Sequence, residues 1–300
     1  MCNWNFGDSN SPRRPRKERM SSITTRLKLN CPKWLPNSVQ YEALMGSIAY
    51  GVSDDTSDKD IYGFCIPPKS FVFPHTTGEI EGFGPKGPRF DQFVSHHVED
   101  TDLTIFSIVK YCHLCMNGNP NMIDSLFVPQ NCVLHCTDVG TMIRESRRLF
   151  LSKKVWHTFK GYAFSQLHKM SIKQPQEGSK RELNVKAHGY DTKFAYHIVR
   201  LIDEVEEILS TGDLTLGRNR EYLKAIRRGE VPEVDIRQRF TDQEKQLEEL
   251  YHKSTLRYSP DVEAIRGLLM KCLEHHYGTI DTAVRASNAE LILAKIRELV

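Results

Sequence analysis

Two short groups of residues in this 300-residue chain have the types and spacing to do chemistry: Gly46-Ser47 and, after ten intervening residues, Asp58-Lys59-Asp60. Read as extended backbone, residues 58–61 place the carboxylates of Asp58 and Asp60 on one face and turn Lys59 to the other, because side chains alternate along a strand. Two like charges held that close repel unless a cation joins them, and paired oxygen ligands suit hard Mg²⁺. Gly46 lets the backbone approach a ligand closely, and a Gly-Ser turn at a helix start offers N–H and hydroxyl donors to a triphosphate. The plainer alternative is an ordinary turn at 46–47 and a solvated loop at 57–60.

A third group lies far along the chain, in the segment KFAYHIVRL over 193–201. On a helix, Lys193, His197 and Arg200 fall at i, i+4 and i+7 on one face, while Phe194, Ile198, Leu201 and Ile202 point to a core. A cationic row opposite paired carboxylates suits the charge that gathers on the β and γ phosphates as pyrophosphate leaves. A solvated face paired to Asp203 or Glu204, or a satisfied core histidine at 197, is the competing account. Cys112, Cys115, Cys132 and Cys136 form a CxxC and a CxxxC sixteen residues apart, near the spacing of structural zinc. The first pair continues an apolar helical spacing, so buried thiols are the preferred reading.

These residues need elements to hold them. Ala43, Leu44 and Met45 lead into the first group, and Ile61–Ile66 continues the second as a strand that Pro67-Pro68 stops. Thr76–Pro88, with four glycines and two prolines, reads as a surface loop. A strand is expected to end near Asp102, with a helix from Thr104 to Met116 carrying Phe106, Val109, Cys112 or His113, and Met116 on one face. Gly118 should stop that helix, and Asn119 should cap a new one with Pro120 at its first position. Further helices are expected over 157–167, 193–201, 244–252, 260–276 and 281–300.

The formal net charge is only +3, so nothing global demands nucleic acid, and any such surface must be local. Eight cysteines without a signal peptide read as reduced thiols, and no apolar run is long enough to span a bilayer. A cytoplasmic protein with no membrane partner is expected. Residues 1–23 hold Arg13, Arg14, Arg16, Lys17 and Arg19 and too few apolar groups to bury, and read as a disordered basic tail.

The order of Gly46-Ser47, Ser57-Asp58-Lys59-Asp60-Ile61, Asp102 before Ser107-x-x-Lys110, and Gly118-Asn119-Pro120-Asn121 before Leu126-Phe127 resembles one family. It continues in Gly161-Tyr162-Ala163, in Lys193 to Leu201, and in Leu223-x-x-Ile226-Arg227-x-Gly229. The family is the RlaP-type nucleotidyltransferases, an RNA repair pathway group within the DNA polymerase β-like superfamily common in phages and bacteria. The resemblance implies an α+β fold, with a small mixed-sheet nucleotidyltransferase core at 24–135 and a mostly helical domain at 136–300 closing over the nucleotide. It implies that Asp102 joins Asp58 and Asp60 as catalytic metal ligand, with Glu99 and Asp100 as rivals, and that Arg227 is functional. Gly46, Ser47, Lys193, His197 and Arg200 would bind the nucleoside triphosphate. Two Mg²⁺ ions, with Mn²⁺ as substitute, are the expected cofactors. The expected reaction moves a nucleoside monophosphate to an acceptor hydroxyl with release of pyrophosphate, the acceptor being an RNA (tRNA) end. Transfer to a protein hydroxyl and an inactive RNA-binding adaptor are the alternatives, and oligomeric state stays open.

Overall fold

A computed structural model describes residues 31–53, 57–68, 92–98, 101–172, 175–278 and Ile296. The basic stretch 1–23, the loop expected over 76–88, the rivals Glu99 and Asp100, and the helix expected over 281–300 apart from Ile296 lie outside the described residues. In chain order the elements are α1 (Leu35–Ser38), β1 (Val39–Leu44), α2 (Gly46–Ala49), β2 (Lys59–Cys65), β3 (Gln92–Val98), β4 (Thr101–Ser107), α3 (Ile108–Met116) and α4 (Pro120–Phe127). There follow β5 (Val133–Cys136), α5 (Asp138–Glu145), α6 (Lys154–Ile172), α7 (Lys180–His188), α8 (Thr192–Thr211), α9 (Arg220–Arg227), α10 (Glu233–Lys253) and α11 (Val262–Tyr277). The fold is α+β: five strands in the order β3-β4-β2-β1-β5, then helices.

β2 and β4 run parallel in continuous register from Lys59↔Thr101 to Cys65↔Ser107, and the other neighbours are antiparallel. Alternation sorts their side chains between two cores. Ile61, Cys65, Leu103 and Ile105 join Leu35 and Val39 on one face, while Phe64, Ile66 and Phe106 join the larger helical core on the other. Asp60 and Asp102, in phase with Phe64 and Phe106, therefore stand on the helical face at the N-terminal ends of their strands.

The strand around Asp102 differs from the sequence expectation. It begins at Thr101 and runs to Ser107, and the helix expected from Thr104 starts at Ile108. The parallel ladder keeps Thr104, Ile105 and Phe106 extended, types that suit a half-buried pleat. Ser107 ends it as a helix cap, its Oγ accepting from the Lys110 N–H at 3.0 Å. The second cap is where the sequence puts it: Asn119 Oδ1 accepts from the Met122 N–H at 3.2 Å, and Pro120 opens α4.

α8 is the central helix. Asp191 caps its start by accepting from the N–H groups of Lys193 and Phe194 at 2.9 and 3.2 Å, and left-handed Gly212 ends it. Ile198, Leu201, Ile202 and Val205 face the large core, which also takes Tyr41, Phe64 and Ile123 from the sheet half and Phe159 and Leu268 from the helical half. Ala195, Tyr196 and Val199 face a second core with Tyr50, Val52, Leu223 and Ile226. Cys112, Cys115 and Cys132 are buried and Cys136 is exposed. Burial pushes the Cys112 thiol up to about 12, the state of an inert packing residue. Among the described residues no helix is long and apolar enough to cross a membrane.

Candidate active site

Gly46 and Asp60 are built against each other. The Met45 N–H donates to the Asp60 carbonyl at 2.7 Å, extending the β1–β2 pairing to the turn itself. Gly46 has φ +62°, and a Cβ there would stand 2.2 Å from Asp60 Oδ2. The positive φ favours glycine, and any Cβ would require the Asp60 carboxylate to move. The turn runs into α2, a single helical turn in which Ser47 is buried.

Asp60 and Asp102 are register partners, so their side chains leave neighbouring strands on one face, about 4.8 Å apart at the backbone. Asp58 sits just before β2 and is exposed, as is Asp102, while Asp60 is half-buried. Burial raises the Asp60 carboxyl above its ordinary range, Lys193 pulls it back, and Asp102 and Asp58 push it up. Asp60 thus feels both other acids and Lys193, and a cavity of about 710 Å³ is lined by Gly46, Ser47, Asp58, Asp60, Asp102, Lys193 and His197.

The opposite wall is more cationic than the sequence argument foresaw. Lys180 and Arg181 of α7, Lys193 of α8, and Lys224, Arg227 and Arg228 at the end of α9 all line the cavity. Thr192 ties these ends together: its N–H and hydroxyl both donate to Asn184 Oδ1 at 3.1 Å, and its hydroxyl also reaches the Arg227 carbonyl at 3.3 Å. Arg181 reaches Asp191 at 3.6 Å and lies over the Phe194 ring at 4.4 Å. Arg227 lies 5.4 Å over the ring of Tyr196, whose hydroxyl burial pushes up to about 12. Lys224, Arg227 and Arg228 stand at i, i+3 and i+4 on one helical face, opposite buried Ile226, and of the three only Arg227 was named from the sequence, through the family resemblance. Lys180 and Arg181 follow a serine cap, Ser179, which was the available signal.

The row expected on α8 divides. Lys193 is exposed to the cavity. His197 lines the cavity too, but burial and then Arg200, Lys193, Arg227 and Arg181 hold its pKa well below 6.5. It is a neutral imidazole, so it offers a hydrogen bond and not a charge. Its Nδ1 is buried without a hydrogen-bond partner.

Arg200 is not in the cavity, which corrects its assignment to the triphosphate. The side chain is 3% exposed and its Nη1 contacts Asp124 Oδ2 at 2.5 Å and both Glu204 oxygens at 2.9 and 2.8 Å. Helical spacing puts positions 193 and 200 on one face. However, Arg200 lies about two turns further along α8 and is buried, and α4 brings Asp124 against it.

Three oxygen-bearing acids on one cavity wall have the donor chemistry for a hard divalent cation. Among the described residues, though, no group of three or more His, Cys, Asp or Glu side chains is already arranged to hold a metal ion.

The sequence model of the family described as RlaP, RNA repair pathway DNA polymerase beta family, matches residues 14–271. No curated protein matches the chain. Among solved structures, a nucleotidyltransferase-like protein from Exiguobacterium sibiricum is similar at 11% identity over 87% of this chain and 84% of that one, with a TM-score of 0.25. That likeness is too distant to carry an argument.

Proposed function

The chain belongs to the RNA repair pathway DNA polymerase beta family, and from that premise we propose that it is a metal-dependent nucleotidyltransferase acting on an RNA end in the cytoplasm. The observation that carries this reading is the cavity itself: acids from β2 and β4 face cations from α7, α8 and α9, with the Gly46-Ser47 turn between them.

In this reading an acceptor hydroxyl attacks the α-phosphorus of an NTP, the bond to the bridging oxygen breaks in line, and pyrophosphate leaves. The N–H groups and hydroxyl of the Gly46-Ser47 turn receive phosphate oxygens. Lys193 and Arg227 take up the charge that gathers on the β and γ phosphates, and neutral His197 contributes a directed hydrogen bond. Asp102, exposed and next to Asp60, receives the proton of the attacking hydroxyl and can pass it to water. Asp58, Asp60 and Asp102 would hold two Mg²⁺ ions, which when bound supply positive charge to the attacking and leaving oxygens. The helical half closes over the nucleotide. The family's place in RNA repair supports an RNA acceptor.

Incubation with each labelled NTP, Mg²⁺ and either RNA or protein acceptors tests it. Label on an RNA end is the expected result. Label on protein moves the acceptor to a protein hydroxyl, and no label on either overturns the enzyme reading.

A further inference from the structure

Behind the Gly46-Ser47 turn lies a polar layer that the proposed reaction does not use. The turn's own hydrogen bonds are few: the Tyr50 N–H to the Gly46 carbonyl at 3.2 Å, Gly51 N–H to Ile48 at 3.1 Å and Val52 N–H to Ser47 at 2.8 Å. A helix of four residues cannot hold itself, since nucleation is unfavourable and so few bonds repay it. Something outside must fix it.

Tyr50 supplies the connection. Its hydroxyl donates to Asp124 Oδ2 at 2.8 Å, the same oxygen that Arg200 Nη1 reaches at 2.5 Å. The Arg200 guanidinium also lies 4.2 Å over the Tyr50 ring, and Glu204 holds the guanidinium from the next turn of α8. Tyr50 and Val52 are buried in the second core, beneath α8 and α9, so the residues that close the turn are embedded in the helices that carry the cations.

The cluster is poorly explained as a stabilising device. One guanidinium faces two carboxylates, and Asp124 Oδ1 and Arg200 Nε are buried without a hydrogen-bond partner. Buried ion clusters of this kind are often no more stable than apolar packing, and their attested use is to specify one arrangement. Here the arrangement specified is the seat of the turn between the acid wall and the cationic wall.

We propose that Tyr50 is a positioning residue through which the buried Asp124–Arg200–Glu204 cluster holds the Gly46–Val52 turn in its nucleotide-receiving form. This deepens the proposed function, and its nucleotide half rests on that reading. The link is mechanical and leaves Tyr50 with no contact to substrate.

Tyr50→Phe removes the hydroxyl and keeps the ring over Arg200. Tyr111→Phe is the matched control, because it also deletes a buried tyrosine hydroxyl, one within 2.5 Å of Ser125 Oγ, without touching the turn. Amide hydrogen exchange of the free full-length protein is read at Tyr50, Gly51 and Val52. The expected result is exchange about tenfold faster or more in Tyr50→Phe and unchanged at those amides in Tyr111→Phe. Rates unchanged in Tyr50→Phe, or raised equally in both variants, overturn the brace. Binding of the four Mg·NTPs is then compared. Wild type is expected to bind at least one, and Tyr50→Phe to bind it about tenfold more weakly. Equal affinity despite a loosened turn also overturns the proposal. If wild type binds none, the proposed function fails, and the exchange result still decides whether the turn is braced.

Discussion

The acid wall rests on two strands whose separation and register backbone hydrogen bonds fix, whereas the cationic wall is gathered from the ends of three helices tied through side chains such as Thr192 and Asn184. On the strands, Asp60 and Asp102 are held side by side whatever their mutual repulsion. On the helices, six long side chains reach into one cavity, three of them paired with nearby acids. The acid wall therefore sets charge at fixed points, and the cationic wall supplies a distributed field. Loss of one member should be severe on the first and partial on the second.

The largest expected break is the double change Asp58→Asn with Asp60→Asn. Transfer should fall by about 10³-fold or more, with the melting temperature held or raised because burial already disfavours the Asp60 charge. Retained transfer in that variant would erase the distinction between the walls.

Next in size is a contrast within α8. Arg200→Met leaves the buried Asp124 and Glu204 side chains without their shared partner and should cost about 3–5 kcal/mol in urea unfolding. Lys193→Met, at the exposed end of the same face, should cost about 0.5 kcal/mol or less. Equal losses would put Arg200 back among the surface cations. On the cationic wall, Lys193→Ala, Lys224→Ala and Arg228→Ala should each raise KM for NTP roughly three- to tenfold, as steady-state kinetics would show. A thousandfold loss from any one of them would make it a fixed point after all.

The smallest effects are those of pH, and they have opposite signs. Burial raises the Glu204 carboxyl well above 4.5, so its contribution to stability is full below 4.5 and is lost as pH rises through the folded value. Glu204→Gln should gain melting temperature over wild type toward alkaline pH. His197, depressed well below 6.5, contributes fully above 6.5 and loses stability as pH falls below it. His197→Gln should flatten that acid limb, and an unchanged limb would mean the imidazole is not held neutral.

Local signals in the sequence were legible where one element decides the outcome. Asp60, the Gly46 corner and the Asn119-Pro120 cap depend on neighbours a few residues away, and the structure places them in the expected elements, while Asp58 falls one residue before β2. Asp102 could be named only through family resemblance, because its partner strand is distant in the chain and pairing in parallel register is a tertiary event. The same limit explains Arg200 and His197. Periodicity assigns a helix face, but not that Asp124 will stand opposite one residue or that four cations from three helices will surround the other. Lys180, Arg181, Lys224 and Arg228 read as solvated charge until α7 and α9 are brought beside α8.

The parallel zipping of β2 with β4 also sets when Asp60 and Asp102 first stand together. A chain emerging from the ribosome with residue 60 exposed and residue 107 not yet released has scattered aspartates and no acidic cluster. Joining those strands closes a long loop, a slow and cooperative step. Any affinity for divalent cations that needs both carboxylates would thus be acquired only with that pairing, and cation uptake would time it.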